Sequence, residues 1–453
     1  MYSKNAWKKY KDNLNVVMDF NEGYKSFLTK GKTERLFIYE TIKLAEEKGF
    51  KPLTSFKSLK KGDKVYANNR DKNIALFVIG EEPLENGMNI LGAHIDSPRI
   101  DIKQNPLYEK EGFALLDTHY YGGIKKYQWV TMPLSLHGVV YKKDGTKVEV
   151  HVGDDANDPI VGISDLLIHL SADQMQKSAA KVIEGEDLDV TVGSIPSMDD
   201  KASPKNYLLN ILKEKYDIEE EDFLSAEIEV VPAASSRDYG LDRSMVAGYG
   251  HDDRVCAYTS LMALLDAQDV KKTACCILTD KEEVGSIGAT GAQSLFFENV
   301  VAELVNLEGN YIDLKVRRCL SNSNMLSSDV SAGVDPLYLG VNELKNSAYL
   351  GRGIVFNKYT GSRGKSGCND ANPDFIASLR KIMDENNIYF QTAELGKVDQ
   401  GGGGTIAYLL ANYNMNVIDA GIAVLNMHSP MEIVSKVDVY EGYLAYKTFL
   451  EKL

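Results

Sequence analysis

The sequence predicts an α/β fold: a layered sheet with helices on both faces, interrupted by a smaller strand-rich domain. Three observations predict it. Short apolar runs alternate with amphipathic stretches from Thr33 to the segment around Gly92. After about Asn105 that rhythm gives way to strand-like segments separated by turns, and it returns from about Leu241. With 453 residues, the chain is long enough for two domains. The division that follows is 1–104 with 242–453 for a discontinuous α/β domain, and 105–241 for the insertion.

Taken in order, Thr33 to Lys48 reads as an amphipathic helix, with Leu36, Phe37, Ile42, Leu44 and Ala45 near helical spacing and Gly49 at its end. Ile74 to Ile79 is a short apolar strand, and Asn89-Ile90-Leu91 leads a second one into Gly92. In the insertion, Leu134 to Tyr141 and Lys147 to Val152 are strands joined by the turn Lys142-Lys143-Asp144-Gly145-Thr146. Ser164 to Leu170 and Lys205 to Lys215 have helical patterns, and Glu227 to Val231 is a strand. Beyond it, Val255 to Ala267 is a strongly apolar helix. Thr273 to Leu278 and Val301 to Leu307 read as buried strands. Thr405 to Ala411 is a short helix, Ile418 to Leu425 an apolar strand broken by Gly421, and Ser435 onward a closing helix.

Composition bounds the function. The hydrophobic fraction of 44% and charged fraction of 26% are those of a globular protein. A net charge of −14 with no basic block argues against nucleic acid or an anionic membrane as partner. No apolar run approaches the ~20 residues that span a bilayer. The N-terminal stretch lacks the apolar core of a signal peptide. The five cysteines form no C-x-x-C pair, which fits buried thiols in a reducing, cytoplasmic compartment.

The chemistry is concentrated in five short clusters. In Gly92-Ala93-His94-Ile95-Asp96-Ser97-Pro98-Arg99-Ile100-Asp101, His94 and Asp96 are two apart, so an extended chain puts both on one face. That suits a metal-binding histidine with an orienting carboxylate, and equally a satisfied core histidine. His251-Asp252-Asp253-Arg254 opens a helix, where one acid suffices as a cap. Asp280-Lys281-Glu282-Glu283 follows an apolar strand, and its glutamates are also compatible with a solvated loop. Ser327-Ser328-Asp329 carries one acid, an Asx-turn candidate. Met427-His428-Ser429-Pro430-Met431-Glu432 follows the last apolar strand. Together these clusters offer nitrogen and oxygen donors without thiolate, a set for zinc, cobalt or manganese. Two ions sharing a carboxylate need about five ligands, and a further acid must stay free as general base. Gly401-Gly402-Gly403-Gly404-Thr405 lacks the lysine of a phosphate loop. It is either a pocket wall that substrate approaches closely or a tight start to a helix.

The motifs GAHIDSPRID, HDDR, DKEEVGS, SSDVSAG and MHSPME, in this order from residue 92 to 432, resemble those of the aspartyl aminopeptidase and aminopeptidase I family of dinuclear metallo-aminopeptidases. The resemblance implies a three-layer αβα catalytic domain with a mixed sheet, and an inserted domain used for dimerisation. It implies a metal-dependent aminopeptidase that removes the N-terminal residue of peptides bearing a free N-terminus, with a hydroxide bridging the metals as nucleophile. His94 and Asp329 would hold one ion, Glu283 and His428 the other, and Asp252 would bridge them. Asp96 would orient His94, Glu282 would be the general base, and the Asp252–Asp253 peptide would be cis. The cofactors would be two divalent ions, Zn2+ before Co2+ or Mn2+. Lys358, Tyr359, Gly402 and Gly403 would bind substrate. Eukaryotic aspartyl aminopeptidases have LDNL where this chain has HDDR, and the segment 357–374, with Lys358, Tyr359, Arg363 and Lys365, follows the family's pocket stretch only loosely. Acidic and neutral first residues both stay open. The family assembles as tetrahedral homododecamers, and His169 would cross the dimer contact to line a neighbour's active site. A non-catalytic self-assembling scaffold or cargo protein on the same fold is the second reading.

Overall fold

The structure is a computed structural model that describes residues 4–155, 157–198, 203–361 and 364–453. They fall into two compact units: 1–96 with 236–427 and 431–453, and 97–235 with 428–430.

The first unit is built on a mixed sheet, nine-stranded among the described residues. Its order is Lys51–Pro52, Lys64–Asn69, Asn73–Val78, Thr273–Thr279, Met88–His94, Asn324–Ser327, Asn416–Gly421, Ile354–Asn357 and Phe390–Thr392. Alternating side chains sort its strands onto two cores, as a period of two requires. Leu76, Leu91, Ala93, Cys276 and Leu278 face a cluster with Tyr24, Phe37, Leu261 and Tyr446. Phe77, Ile90, Cys275 and Ile277 face the opposite cluster, with Val301, Leu304 and Leu410. Helices Leu14–Lys30, Glu34–Glu47, His251–Leu265, Pro373–Glu385 and Lys436–Lys452 supply the first face, and Phe296–Glu308 and Asp313–Ser321 the second. The result is the expected αβα layering. A separate sheet of five short strands joins Arg237–Tyr239, Met245–Gly248, Glu432–Ser435, Ala423–Leu425 and Ser331–Ala332.

The second unit carries a six-stranded sheet in the order Lys147–Val152, Leu134–Tyr141, Ala226–Pro232, Arg99–Lys110, Phe113–Tyr121 and Val190–Gly193. Helix Pro204–Tyr216 packs with Val140, Val150, Ile218 and Phe223 through Leu212 and Tyr216.

Two expectations need correction. Val301–Leu307 is not a strand but lies inside helix Phe296–Glu308, because Phe297, Val300, Val301, Leu304 and Val305 form its buried stripe. Ser164–Leu170 is not a helix, for only Ile168–Leu170 makes a 3₁₀ turn. Its apolar side chains have no core to face, and Leu166, Leu167, Ile168 and Leu170 are exposed.

Candidate active site

Three parallel strands lie side by side in the centre of the large sheet, in a register that pairs Thr279 with His94 and Ser327 with Gly92. Their carboxyl ends therefore open at one level, which is where open α/β sheets carry their sites. His94 ends the middle strand, Glu282 and Glu283 follow the Thr273–Thr279 strand, and Asp329 follows the Asn324–Ser327 strand. Helix His251–Leu265 delivers Asp252 and Asp253 at its first turn, where both depart from helical geometry and the peptide between them is cis.

His94 is buried with its ring between carboxylates. Its Nε2 lies 3.2 Å from Asp252 Oδ1 and 3.9 Å from Glu282 Oε2. Its Nδ1 lies 3.2 Å from Asp96 Oδ1 and 3.0 Å from the Asp96 carbonyl oxygen. The buried Asp96 carboxylate also accepts the backbone N–H of Glu282 at Oδ1 and of Glu283 at Oδ2, each at 3.1 Å. One side chain thus sets both the histidine ring and the Glu282–Val284 turn. On the other side, Asp253 Oδ2 accepts the His94 backbone N–H at 3.2 Å, and Glu432 Oε2 accepts that of Asp252 at 2.9 Å.

Donor atoms of His94, Asp253 and Asp329 come within 4.8 Å of one another, as do those of His94, Glu282 and Glu283. Burial, with added repulsion from neighbouring carboxylates, raises Asp253 and Asp329 well above the ordinary carboxylate range. Burial opposes the charge on His94, but hydrogen bonds to Asp252 and Asp96 outweigh it and raise the ring. A buried crowd of carboxylates around one imidazole is the environment a divalent cation relieves, so the donor set fits metal.

Of the residues expected from sequence, the structure brings His94, Asp96, Asp252, Glu282, Glu283 and Asp329 together in the first unit. His428 groups with the second unit, where its Nδ1 is 3.1 Å from the Gly123 carbonyl oxygen. His169 is exposed on the 3₁₀ turn of the second unit. Lys358 and Lys365 both pair with Asp370, at 3.1 and 3.0 Å, and the Tyr359 hydroxyl donates to Glu394 at 2.6 Å. Arg363 lies outside the described residues. Gly403 N–H reaches the Thr360 carbonyl oxygen at 3.1 Å, joining the glycine run to the residue after Tyr359. Sequence reasoning assigned no role to Asp253 or Glu432, although both lie in motifs it singled out. Both accept backbone N–H groups, and Asp253 also stands among the candidate metal donors, contacts that no spacing displays.

The description "Aminopeptidase I zinc metalloprotease (M18)" belongs to the family model matched by residues 27–450. A probable M18 family aminopeptidase 1 of Clostridium acetobutylicum is 61% identical over 454 residues, covering 99% of this chain and 98% of that one. The crystal structure of an M18 aminopeptidase from Thermotoga maritima superposes with a TM-score of 0.97 at 46% identity over 100% of both chains. The S. cerevesiae mApe1 dodecamer shares the fold, with a TM-score of 0.77 at 20% identity over 96% of each chain. With this match over nearly its whole length, the chain belongs to the M18 aminopeptidase I family of zinc metalloproteases and is an aminopeptidase.

Proposed function

We propose that the protein hydrolyses the N-terminal residue of peptides at a dinuclear centre, with His94 and Asp329 on one ion, Glu283 and His428 on the other, and Asp252 between them. The observation that carries this reading is the position of Asp96, which fixes His94 and the Glu282-Glu283 turn with one carboxylate. Zinc is the favoured ion from the family, with cobalt or manganese compatible with the same donors. When bound, such ions would supply Lewis acidity and acidify water at the site. Glu282 would take a proton from the attacking water and return it to the leaving amine. Asp253 and Glu432 keep the backbone of the ligand residues in place during both steps.

The pocket favours a neutral first residue. Lys358 and Lys365 share the single carboxylate of Asp370, and Glu394 accepts the Tyr359 hydroxyl, so these two lysines and two acids sum to zero charge and leave no excess cation for an acidic side chain. Gly402 and Gly403 present backbone to the substrate beside them. A panel of aminoacyl anilides tested with zinc, cobalt and manganese decides the matter. Leucyl or methionyl substrates should exceed aspartyl and glutamyl ones at least tenfold in kcat/KM. Absence of all amidase activity with every metal would return the protein to the scaffold reading.

Self-association through the inserted domain completes the proposal, with a tetrahedral homododecamer as the assembly. Its support is the solved dodecamer of the yeast relative and the exposed apolar side chains Leu167, Ile168 and Leu170 flanking His169. His169 of the partner subunit would then donate to the scissile carbonyl oxygen. Free cysteines at 256, 275, 276, 319 and 368 suit a cytoplasmic setting, and no described helix is long and apolar enough to cross a membrane.

A further inference from the structure

We propose that the second unit holds a separate metal site, made by His137, His151 and Asp154, for one divalent ion of the zinc class. The hairpin register sets His137 on strand Leu134–Tyr141 directly opposite His151 on strand Lys147–Val152. Their rings are 5.8 Å apart between centroids, on one face of the pair. The other face carries Val140, Val148 and Val150 and packs onto Ile218 and Phe223, so the histidines belong to a different environment from the apolar core.

Each of the three residues offers one donor atom, and the three atoms lie within 4.8 Å of one another. The Nδ1 atoms of the two histidines face each other at 3.5 Å, and His137 Nε2 is 3.3 Å from Asp154 Oδ1. Zinc bonds of ~2.0–2.1 Å in a tetrahedron place neighbouring ligand atoms ~3.3 Å apart, close to the separation of the two Nδ1 atoms. An imidazole gives an ion only one nitrogen, so the Asp154 carboxylate, now beside Nε2 and 45% exposed, must swing to the Nδ1 side of His137 to complete the set. Facing imidazole nitrogens repel when both rings are protonated, whereas a cation between them satisfies both. The Ser135 hydroxyl, 3.0 Å from His137 Nε2, orients the ring from the same strand.

Charge and access agree. Glu149 Oε2 lies 3.7 Å from His151 Nε2, and Glu229 on the neighbouring strand is registered opposite His137, where Arg99 Nε meets it at 3.3 Å. His137 is fully buried, His151 is 40% exposed at its side chain and Asp154 45%, so an ion reaches a buried anchor from solvent. Two imidazoles and one carboxylate suit zinc, nickel or copper, and supply too few oxygens for calcium or magnesium. The ion would tie the two strands to the loop after them.

The test counts metal on untagged protein, because an added histidine tag would bind zinc itself. Wild type, His151→Gln and Asp154→Asn are stripped with chelator and dialysed against micromolar zinc. Zinc per chain is then measured by mass spectrometry. Both variants should carry one zinc fewer than wild type, whatever the count at the catalytic centre, with turnover within twofold. An Asp329→Ala variant should keep this ion while losing metal elsewhere, which separates the two sites. Crystals of the wild type should show a zinc-edge anomalous peak among the three side chains. Equal zinc in wild type and both variants, or binding only at millimolar zinc, overturns the proposal.

Discussion

The proposed base Glu282 and the proposed ligand Glu283 are adjacent, so only their surroundings can separate the two roles. Both backbone N–H groups are fixed by Asp96, so replacing the Glu282 side chain leaves the turn in place. Glu282→Gln should therefore keep its metal and its assembly and lose about 10²–10⁴-fold in kcat, the usual worth of a positioned base. Metal content and steady-state kinetics on one preparation check this, and near-wild-type turnover removes Glu282 as base. At this scale the motifs were legible because metal binding and base catalysis each call for particular residue types: His94, Asp252, Glu282 and Asp329 stand out among small and apolar neighbours. Asp253 did not stand out, because a carboxylate that holds the His94 N–H looks like any second acid in a pair.

The elements that aim these residues depend on close approach and on buried polar contacts. Gly421 ends strand Asn416–Gly421 against the Asp329 turn, and a Cβ there would sit 1.7 Å from the Asp329 carbonyl oxygen. Gly421→Ala must push that turn away. We expect metal affinity to fall by at least tenfold, read by zinc competition with a chromogenic chelator, while Gly193→Ala, with open space around it, leaves metal affinity unchanged. In the same strand the buried Asp419 accepts the Thr405 hydroxyl at 2.7 Å, which anchors the end of the glycine run. Burial raises Asp419 to about 6, against the pull of the Thr405 and Ser327 hydroxyls. Its unfolded pKa is ~3.9, so the native state binds the extra proton between those values. Stability from this group is present below pH ~4, falls as pH rises to about 6, and stays flat above; the full loss is ~2–3 kcal/mol. Asp419→Asn keeps an acceptor for Thr405 and removes that slope, so its urea midpoint should exceed wild type at pH 8 and match it near pH 4. Neither contact is visible in sequence, where Gly421 reads only as a break. Helix Leu14–Lys30 was missed for a related reason: its buried face includes Asn21, whose amide donates to the Val17 and Lys436 carbonyl oxygens, and this interrupts the apolar stripe. The long strand Arg99–Lys110 was missed because a register shift between Ile102 and Leu107 breaks its alternation.

For the whole molecule, the segment read wrongly from sequence is the most informative. Leu166, Leu167, Ile168 and Leu170 have helical spacing, yet the chain gives them no helix and leaves them exposed, Ile168 by 69%. Apolar side chains held at the surface on a short turn have the character of an interface core rather than of a domain core. In a twofold contact, the same segment of each subunit would meet the other. Under the proposed assembly, such a contact would offer His169 of the partner subunit a route to the active site. His169→Phe should then bind metal normally and remain assembled, yet lose turnover by about 10²-fold or more, the usual cost of one oxyanion donor. Purified His169→Phe and Glu282→Gln proteins, each nearly inactive, are mixed under conditions that exchange subunits and then reassembled. In the mixed interface one site pairs an intact Glu282 with an intact His169 of the partner subunit, and the other site lacks both. Activity should recover to roughly a quarter of wild type, since random mixing makes half of all pairs mixed and one of their two sites whole. Recovery tracks exchange, so a fluorescence transfer signal between labelled subunits must rise with it. Full exchange without recovered turnover would show that His169 serves its own chain or none.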